Sequence, residues 1–156
     1  MKIQIIHPGD FKESWLISAF AEYTKRISAF SEIQDITIKE RPVTDMSCVD
    51  KALHDEGQDI LSKLDARSYV IALCIEGKNI SSEELAQTFE KCTLNGYSTI
   101  SFIIGSSHGL SDEVKRRADF KLSFSKMTFP HQLMRVILSE QIYRALSIIH
   151  GGKYHK

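Results

Sequence analysis

Two apolar runs, SYVIALCI (68–75) and STISFIIG (98–105), constrain the fold of this 156-residue chain more than any other feature. A strand with one wet face alternates apolar and polar residues, whereas an unbroken apolar run of this length fits a strand covered on both faces. Such strands occur in parallel sheets, whose neighbours are joined by crossovers that are usually helices. The sequence between the two runs supplies one. Ser81 and Glu84 have the spacing of a capping box, Leu85, Phe89 and Cys92 continue an apolar face, and Asn95-Gly96 ends it.

The flanking sequence repeats the alternation. KIQIIH (2–7) predicts a first strand, and residues 13–27 a helix with Leu16, Phe20, Tyr23 and Ile27 at helical spacing. EIQDITIKE (32–40) alternates and carries enough charge for a sheet edge. Residues 41–48 read as a loop and 49–64 as a helix with Leu53, Ile60, Leu61 and Leu64 on one side. Glu76-Gly77-Lys78 reads as a turn after the first apolar run. Ser111 can cap a short helix over 112–118, and FKLSF (120–124) reads as a short strand. Residues 131–151 predict a long helix, apolar on more than one face and so packed against more than one surface. The expected fold class is α/β: a single domain over 1–156, with a mostly parallel sheet flanked by helices.

No apolar run approaches the roughly 18 residues of a membrane helix. The cysteines, Cys48, Cys74 and Cys92, are odd in number and widely spaced. Neither a zinc site nor a disulfide framework is expected from them, and a reducing, cytoplasmic setting is. Cys74 lies inside an apolar run and is expected in the core. His150 and His155 in the tail have no recognisable third ligand, so no metal is expected. Net charge is zero, but it is unevenly spread. Residues 1–110 hold 11 basic and 16 acidic side chains, and residues 111–156 hold 9 and 4. A basic excess confined to one segment suits contact with a polyanion.

In open parallel sheets, ligands bind beyond the carboxyl ends of the strands. Three such ends are visible, at Leu73–Gly77, Gly105–Leu110 and Phe124–Phe129, and their origin in three consecutive strands allows them to form one pocket. The turn GSSHG (105–109) admits two readings. It matches the G-x-S-x-G nucleophile elbow, with Ser107 as nucleophile, Asp112 or Asp119 as acid and His131 as base. Its glycines equally allow a ligand to approach the backbone. After the third strand end Thr128 can cap a helix and Pro130 suits its first turn, while His131 and Arg135, four apart, share a helix face beside the loop.

VIALCIEGK, FIIGSSHGL, LSFSKMTFPHQLMRVILSEQIYRAL and the terminal KYHK, taken together, resemble the SPOUT-class methyltransferases of large-subunit ribosomal RNA, and the resemblance spans nearly the whole chain. It implies an α/β domain whose C-terminal segment threads a loop as a trefoil knot. It also implies S-adenosyl-L-methionine (SAM) as cofactor, a homodimer, and methylation of N3 of a pseudouridine in large-subunit rRNA on the assembled ribosome. Carried over by position, it assigns cofactor binding to Leu73, Gly105, Phe124, Ser125, Lys126, Met127, Thr128 and Phe129, with Lys126 turned away from the cationic sulfonium. Members of the family commonly carry a double glycine where this chain has Gly105-Ser106, and the serine is accommodated if its φ is negative.

For the substrate side the candidates are His131, Arg135, Tyr154 and His155, the last two on a tail supplied by the partner subunit. Arg135 would stabilise a carbonyl oxygen or grip phosphate, and His131 or His155 would accept a proton or a hydrogen bond. Lys115, Arg116, Arg117, Lys121 and Lys153 are candidates for rRNA phosphates. Two other classes stay open: a small serine hydrolase built on Ser107, and a ribosome-binding module with this fold but no catalysis.

Overall fold

The computed structural model describes residues 1–155, so Lys156, the last residue of the KYHK ending, lies outside the described residues. Five strands, β1 (Lys2–Pro8), β2 (Glu32–Ile38), β3 (Tyr69–Lys78), β4 (Thr99–Ile103) and β5 (Phe120–Leu122), form one sheet in the order β2-β1-β4-β3-β5. Every neighbouring pair is parallel. Five α-helices alternate with them: α1 (Ser14–Ile27), α2 (Val49–Lys63), α3 (Ser82–Leu94), α4 (Asp112–Arg117) and α5 (His131–Ile149).

The two apolar runs become adjacent strands, β3 and β4, in the interior of the sheet, where Val70, Ile71, Ala72, Ile100, Phe102 and Ile103 have no exposed surface. Strand periodicity divides their side chains between two cores. Ile71, Ile100 and Phe102 join Phe20 of α1, Phe89 of α3 and Leu138 and Ile142 of α5. Val70, Ala72 and Ile103 meet Ile60 of α2 and Val114 of α4 on the other face. Helix α5 packs against both α1 and α3, which explains its apolar residues on more than one face. The alternating, charged β2 is an edge strand. Ser81 and Glu84 make both halves of the capping box that starts α3.

Several expectations need correction. Glu76-Gly77-Lys78 is not a turn: β3 runs through it and pairs again with β5 at Lys78, after an irregularity. Gly77 permits this, because a Cβ there would sit 2.7 Å from backbone carbonyl carbons of Lys121 and Leu122. The buried side of α2 is Ala52, Glu56, Gly57 and Ile60, with Leu53, Leu61 and Leu64 only half-buried. Thr128 does not cap α5. Pro130 occupies the N-cap position without a side-chain bond, and its carbonyl accepts from the Met134 N–H at 2.9 Å. Cys74 is half-buried rather than in the core, because β3 leaves the sheet interior at that point.

Candidate functional site

In the strand order, β4, β3 and β5 are neighbours, so their carboxyl ends lie side by side. They frame a cleft of about 680 Å³. Its walls come from Leu73–Glu76 at the end of β3, Ile104–Leu110 after β4, most of Leu122–Pro130 after β5, and His131 and Met134 of α5. Of the proposed cofactor residues, Leu73, Gly105, Phe124, Ser125, Met127, Thr128 and Phe129 line this cleft. Lys126 does not.

Each wall has a local cause. At the β4–α4 turn, Gly109 has φ +88°, and its N–H donates to the Ser106 carbonyl at 2.9 Å. Among the described residues no non-glycine residue has positive φ, so Ser106 sits in backbone that any residue adopts. After β5 the chain is pinned by side chains. The Asn79 amide donates to the Ser123 carbonyl at 2.7 Å, the Ser123 hydroxyl to the Ser125 carbonyl at 3.1 Å, and the Met127 N–H to the Ser125 hydroxyl at 3.0 Å. These bonds leave Met127 and Phe129 at the mouth, 74% and 41% exposed.

The cleft is mostly apolar, with one ion pair on its wall: Lys115 Nζ lies 2.5 Å from Glu76 Oε1. Lys115 holds the Glu76 carboxyl below its ordinary range, and burial pushes the Cys74 thiol up. Volume, apolar walls and a few polar groups match a small-ligand pocket, for which roughly 300–1,000 Å³ is usual. Sequence reasoning missed Cys74, Glu76, Lys115 and Met134 as lining residues. The first two lie in the segment singled out at the end of β3, but only the tertiary structure brings Lys115 of α4 against them.

The nucleophile elbow is not assembled. An elbow strains its serine, and Ser107 has no positive φ. Its hydroxyl meets only the neighbouring His108 Nδ1, at 3.3 Å. Asp119 accepts from the Val70 N–H at 2.8 Å and pairs with Arg117. His131 faces Glu40, with Nε2 and Oε1 3.7 Å apart.

The four substrate-side candidates separate. His131 lines the cleft. Arg135 does not: it is 3% exposed, its guanidinium stacked 3.3 Å from the Phe11 ring centroid. Arg135 was expected to share the substrate-facing side of α5 with His131, but the β1–α1 segment closes over it. Tyr154 and His155 lie against the far half of α5. The Tyr154 hydroxyl donates to Glu140 at 3.1 Å, and the Arg144 guanidinium, which pairs with Glu140, sits 4.7 Å above its ring. His155 Nε2 is 2.7 Å from Glu83 Oε1. Burial, with bonds to Tyr23 and Glu140, pushes the Tyr154 phenol up to about 12. Glu83 is held down at about 2 by its own backbone N–H, by His155 and by Ser81. Arg144 follows His131 by 13 residues, about 20 Å along a helix at 1.5 Å per residue. Glu140, which Tyr154 bonds, follows His131 by nine residues, about 14 Å, and none of Glu83, Glu140 and Arg144 lines the cleft.

Among the basic side chains, Lys115 and Arg117 are engaged with Glu76 and Asp119, whereas Arg116, Lys121 and Lys153 are exposed. Among the described residues no helix is long and apolar enough to cross a membrane, and no group of three His, Cys, Asp or Glu is placed to hold a metal ion.

The family described as "Predicted SPOUT methyltransferase" matches residues 1–155. A protein of Streptococcus thermophilus (strain CNRZ 1066), called ribosomal RNA large subunit methyltransferase H, is 50% identical over 159 residues, covering 100% of both chains. The protein of the same name from Streptococcus agalactiae serotype III (strain NEM316) is 46% identical with the same coverage. Among solved structures, a tRNA (m1G37) methyltransferase from Aquifex aeolicus superposes with a TM-score of 0.56 at 14% identity, covering 100% of this chain and 74% of that one. A probable methylase family protein from Haemophilus influenzae Rd KW20 gives 0.55 at 16%, covering 99% and 70%. The parallel sheet with its cleft at three strand ends is thus a SPOUT fold, and the chain belongs to the SPOUT methyltransferase family.

Proposed function

We propose that the protein transfers a methyl group from SAM to N3 of a pseudouridine in large-subunit rRNA on the assembled ribosome, as a cytoplasmic homodimer of single-domain chains with a C-terminal trefoil knot. One observation carries this reading: the ends of β3, β4 and β5 share one cleft, in a chain whose full-length relatives are named as large-subunit rRNA methyltransferases. The residues present fit the cofactor. Gly105 brings bare backbone to the cleft, Leu73 and Phe124 offer apolar surface to a flat base, and the exposed Lys126 stays off the lining, away from a sulfonium.

When bound, SAM supplies an electrophilic methyl group. The chain's own residues bind, orient and manage a proton. Leu73, Gly105 and the 124–129 run, apart from Lys126, would hold the cofactor, with His131 and Phe129 on the cleft wall available to a nucleobase. Alignment of the two is worth roughly 7–11 kcal/mol at its best. The imide N3–H proton of pseudouridine must leave as the nitrogen attacks. His131, oriented by Glu40, is one acceptor at the cleft, and His155, oriented by Glu83, is the other. Tyr154 keeps its proton and acts as a hydrogen-bond donor. The groups that Tyr154 and His155 touch on their own chain, Glu140, Arg144 and Glu83, do not line its cleft, and Tyr154 and His155 serve the cleft of the partner subunit. Arg116, Lys121 and Lys153 meet rRNA phosphates, which makes binding salt-sensitive.

The test is transfer from radiolabelled SAM to ribosomes lacking the modification, with mapping of the labelled nucleotide. Label on a large-subunit pseudouridine N3 is expected. Ribosome binding without transfer would replace this reading with the non-catalytic module, and label on naked RNA alone would remove the ribosome from it.

A further inference from the structure

Arg135 is an expensive residue for the place it occupies. It is 3% exposed, and its guanidinium lies between the Phe11 and Phe20 rings, 3.3 and 5.1 Å from their centroids. Its polar contacts are to a histidine ring and a backbone carbonyl, with no carboxylate in direct reach. Nη1 is 2.6 Å from the ring nitrogens of His7 and 3.4 Å from the Gly9 carbonyl oxygen, and Nε has no partner. The closest linked carboxylate is Asp35, reached through His7, whose Nε2 lies 2.9 Å from Asp35 Oδ1. His7 Nδ1 also lies 3.0 Å from the Gly9 carbonyl oxygen, and Nη1 is equidistant from the two ring nitrogens, so the guanidinium packs against the imidazole ring instead of taking one in-plane lone pair. A buried cation with an orphan donor is costly, and a methionine would fill similar space without that cost.

These contacts converge on one junction. Gly9 and Phe11 belong to the segment joining β1 to α1, and the Lys12 N–H of that segment donates to the Gln132 side chain at 2.9 Å. Gln132 adjoins His131, and Arg135 lies one helical turn beyond it. His131 also faces Glu40, whose carboxylate lies against Gly9 of the same segment.

We infer that Arg135 is a positioning residue: it fastens the β1–α1 segment onto the first turns of α5 and thereby fixes the direction in which His131 enters the cleft. Its activity readout rests on the methyltransferase reading, and its structural readout does not.

The test compares R135M, R135K and H7L in the full chain. Four quantities are measured: thermal midpoint, binding of S-adenosylhomocysteine (SAH) by calorimetry, the NMR resonances of the His131 ring, and steady-state methylation of ribosomes. R135M is expected to be at least as stable as the parent, since a buried charge is removed. It should nonetheless shift the His131 resonances and lower kcat more than tenfold, with KM for ribosomes changed less than threefold. R135K, which keeps a donor for His7 and Gly9, should recover most of kcat. Parental kcat and unshifted His131 resonances in a folded R135M would overturn the inference, as would loss of activity that merely tracks loss of folded protein. If R135M does not fold, H7L decides, because it removes the ring that Arg135 packs on from the β1 side and should give the same kcat loss and the same shift. If the parent methylates no ribosome, the functional reading fails, and the His131 resonances alone decide the positioning role.

Discussion

Gly105 and Gly109 close the β4–α4 turn so tightly that a Cβ on Gly105 would lie 2.6 Å from the Gly109 carbonyl carbon. Backbone cannot yield to that contact as a flexible side chain would. G105A should therefore open the turn and lower SAH affinity more than tenfold, or about 1.4 kcal/mol, with a stability loss of roughly 1–3 kcal/mol from overpacking. Calorimetry and denaturant unfolding measure the two effects separately.

Ser106, next to it, should behave differently. Its backbone conformation is open to any residue, so placing a glycine there relieves no strain. S106G is expected to leave SAH affinity nearly unchanged and to lose a few tenths of a kcal/mol of stability through added chain entropy. A large gain in affinity from S106G would show that the serine side chain obstructs the cofactor.

The three cysteines offer a footprint of the cleft that needs no activity. Cys48 is exposed, Cys74 lines the cleft, and Cys92 is buried with its thiol pushed up to about 11 by burial. Alkylation near pH 8 should reach Cys48 first and Cys92 last. Saturating SAH should slow the reaction at Cys74 alone, in proportion to the occupied fraction. Unchanged Cys74 labelling in the presence of bound SAH would place the ligand elsewhere.

The tail supplies a test of the shared site. H155A, or deletion of residues 153–156, should abolish methylation while leaving SAH binding intact. Mixed dimers of a tail-deleted chain and a G105A chain should regain activity, since one of their two clefts combines an intact cofactor turn with an intact tail. A tail-deleted protein that methylates at the parental rate would remove Tyr154 and His155 from the mechanism.

Tail docking should also depend on acid. The Glu83 carboxyl sits at about 2 instead of 4.5, so its contribution is complete above pH 4.5 and is lost as pH falls toward 2. Carboxypeptidase release of the C-terminal residues, or the His155 ring resonances followed by NMR, should report loosening of the tail in that window. E83Q should loosen it at neutral pH.

Much of the architecture was legible because it depends on local repetition. Two apolar-rich runs, only the first of them continuous, specified covered parallel strands, Ser81 and Glu84 specified the start of α3, and charge on an alternating segment specified the edge strand. The three strand ends were legible for the same reason, since a parallel sheet puts its carboxyl ends on one side. The misreadings share a cause. Gly77 looked like a turn, but its missing side chain serves the approach of Lys121 and Leu122, residues more than 40 positions away in the chain.

The alternation of strands and helices, the location of the cleft and, through its motifs, the family follow from side-chain period and from residue types at fixed short spacing in the chain. Which side chains meet was set by the packing of the elements. It turned Arg135 inward onto Phe11 and His7, brought Lys115 against Glu76, and carried Tyr154 and His155 to the far half of α5. Each is a contact between elements distant in sequence or across a chain reversal, set by how helices seat on the sheet. No periodicity in the chain encodes that seating.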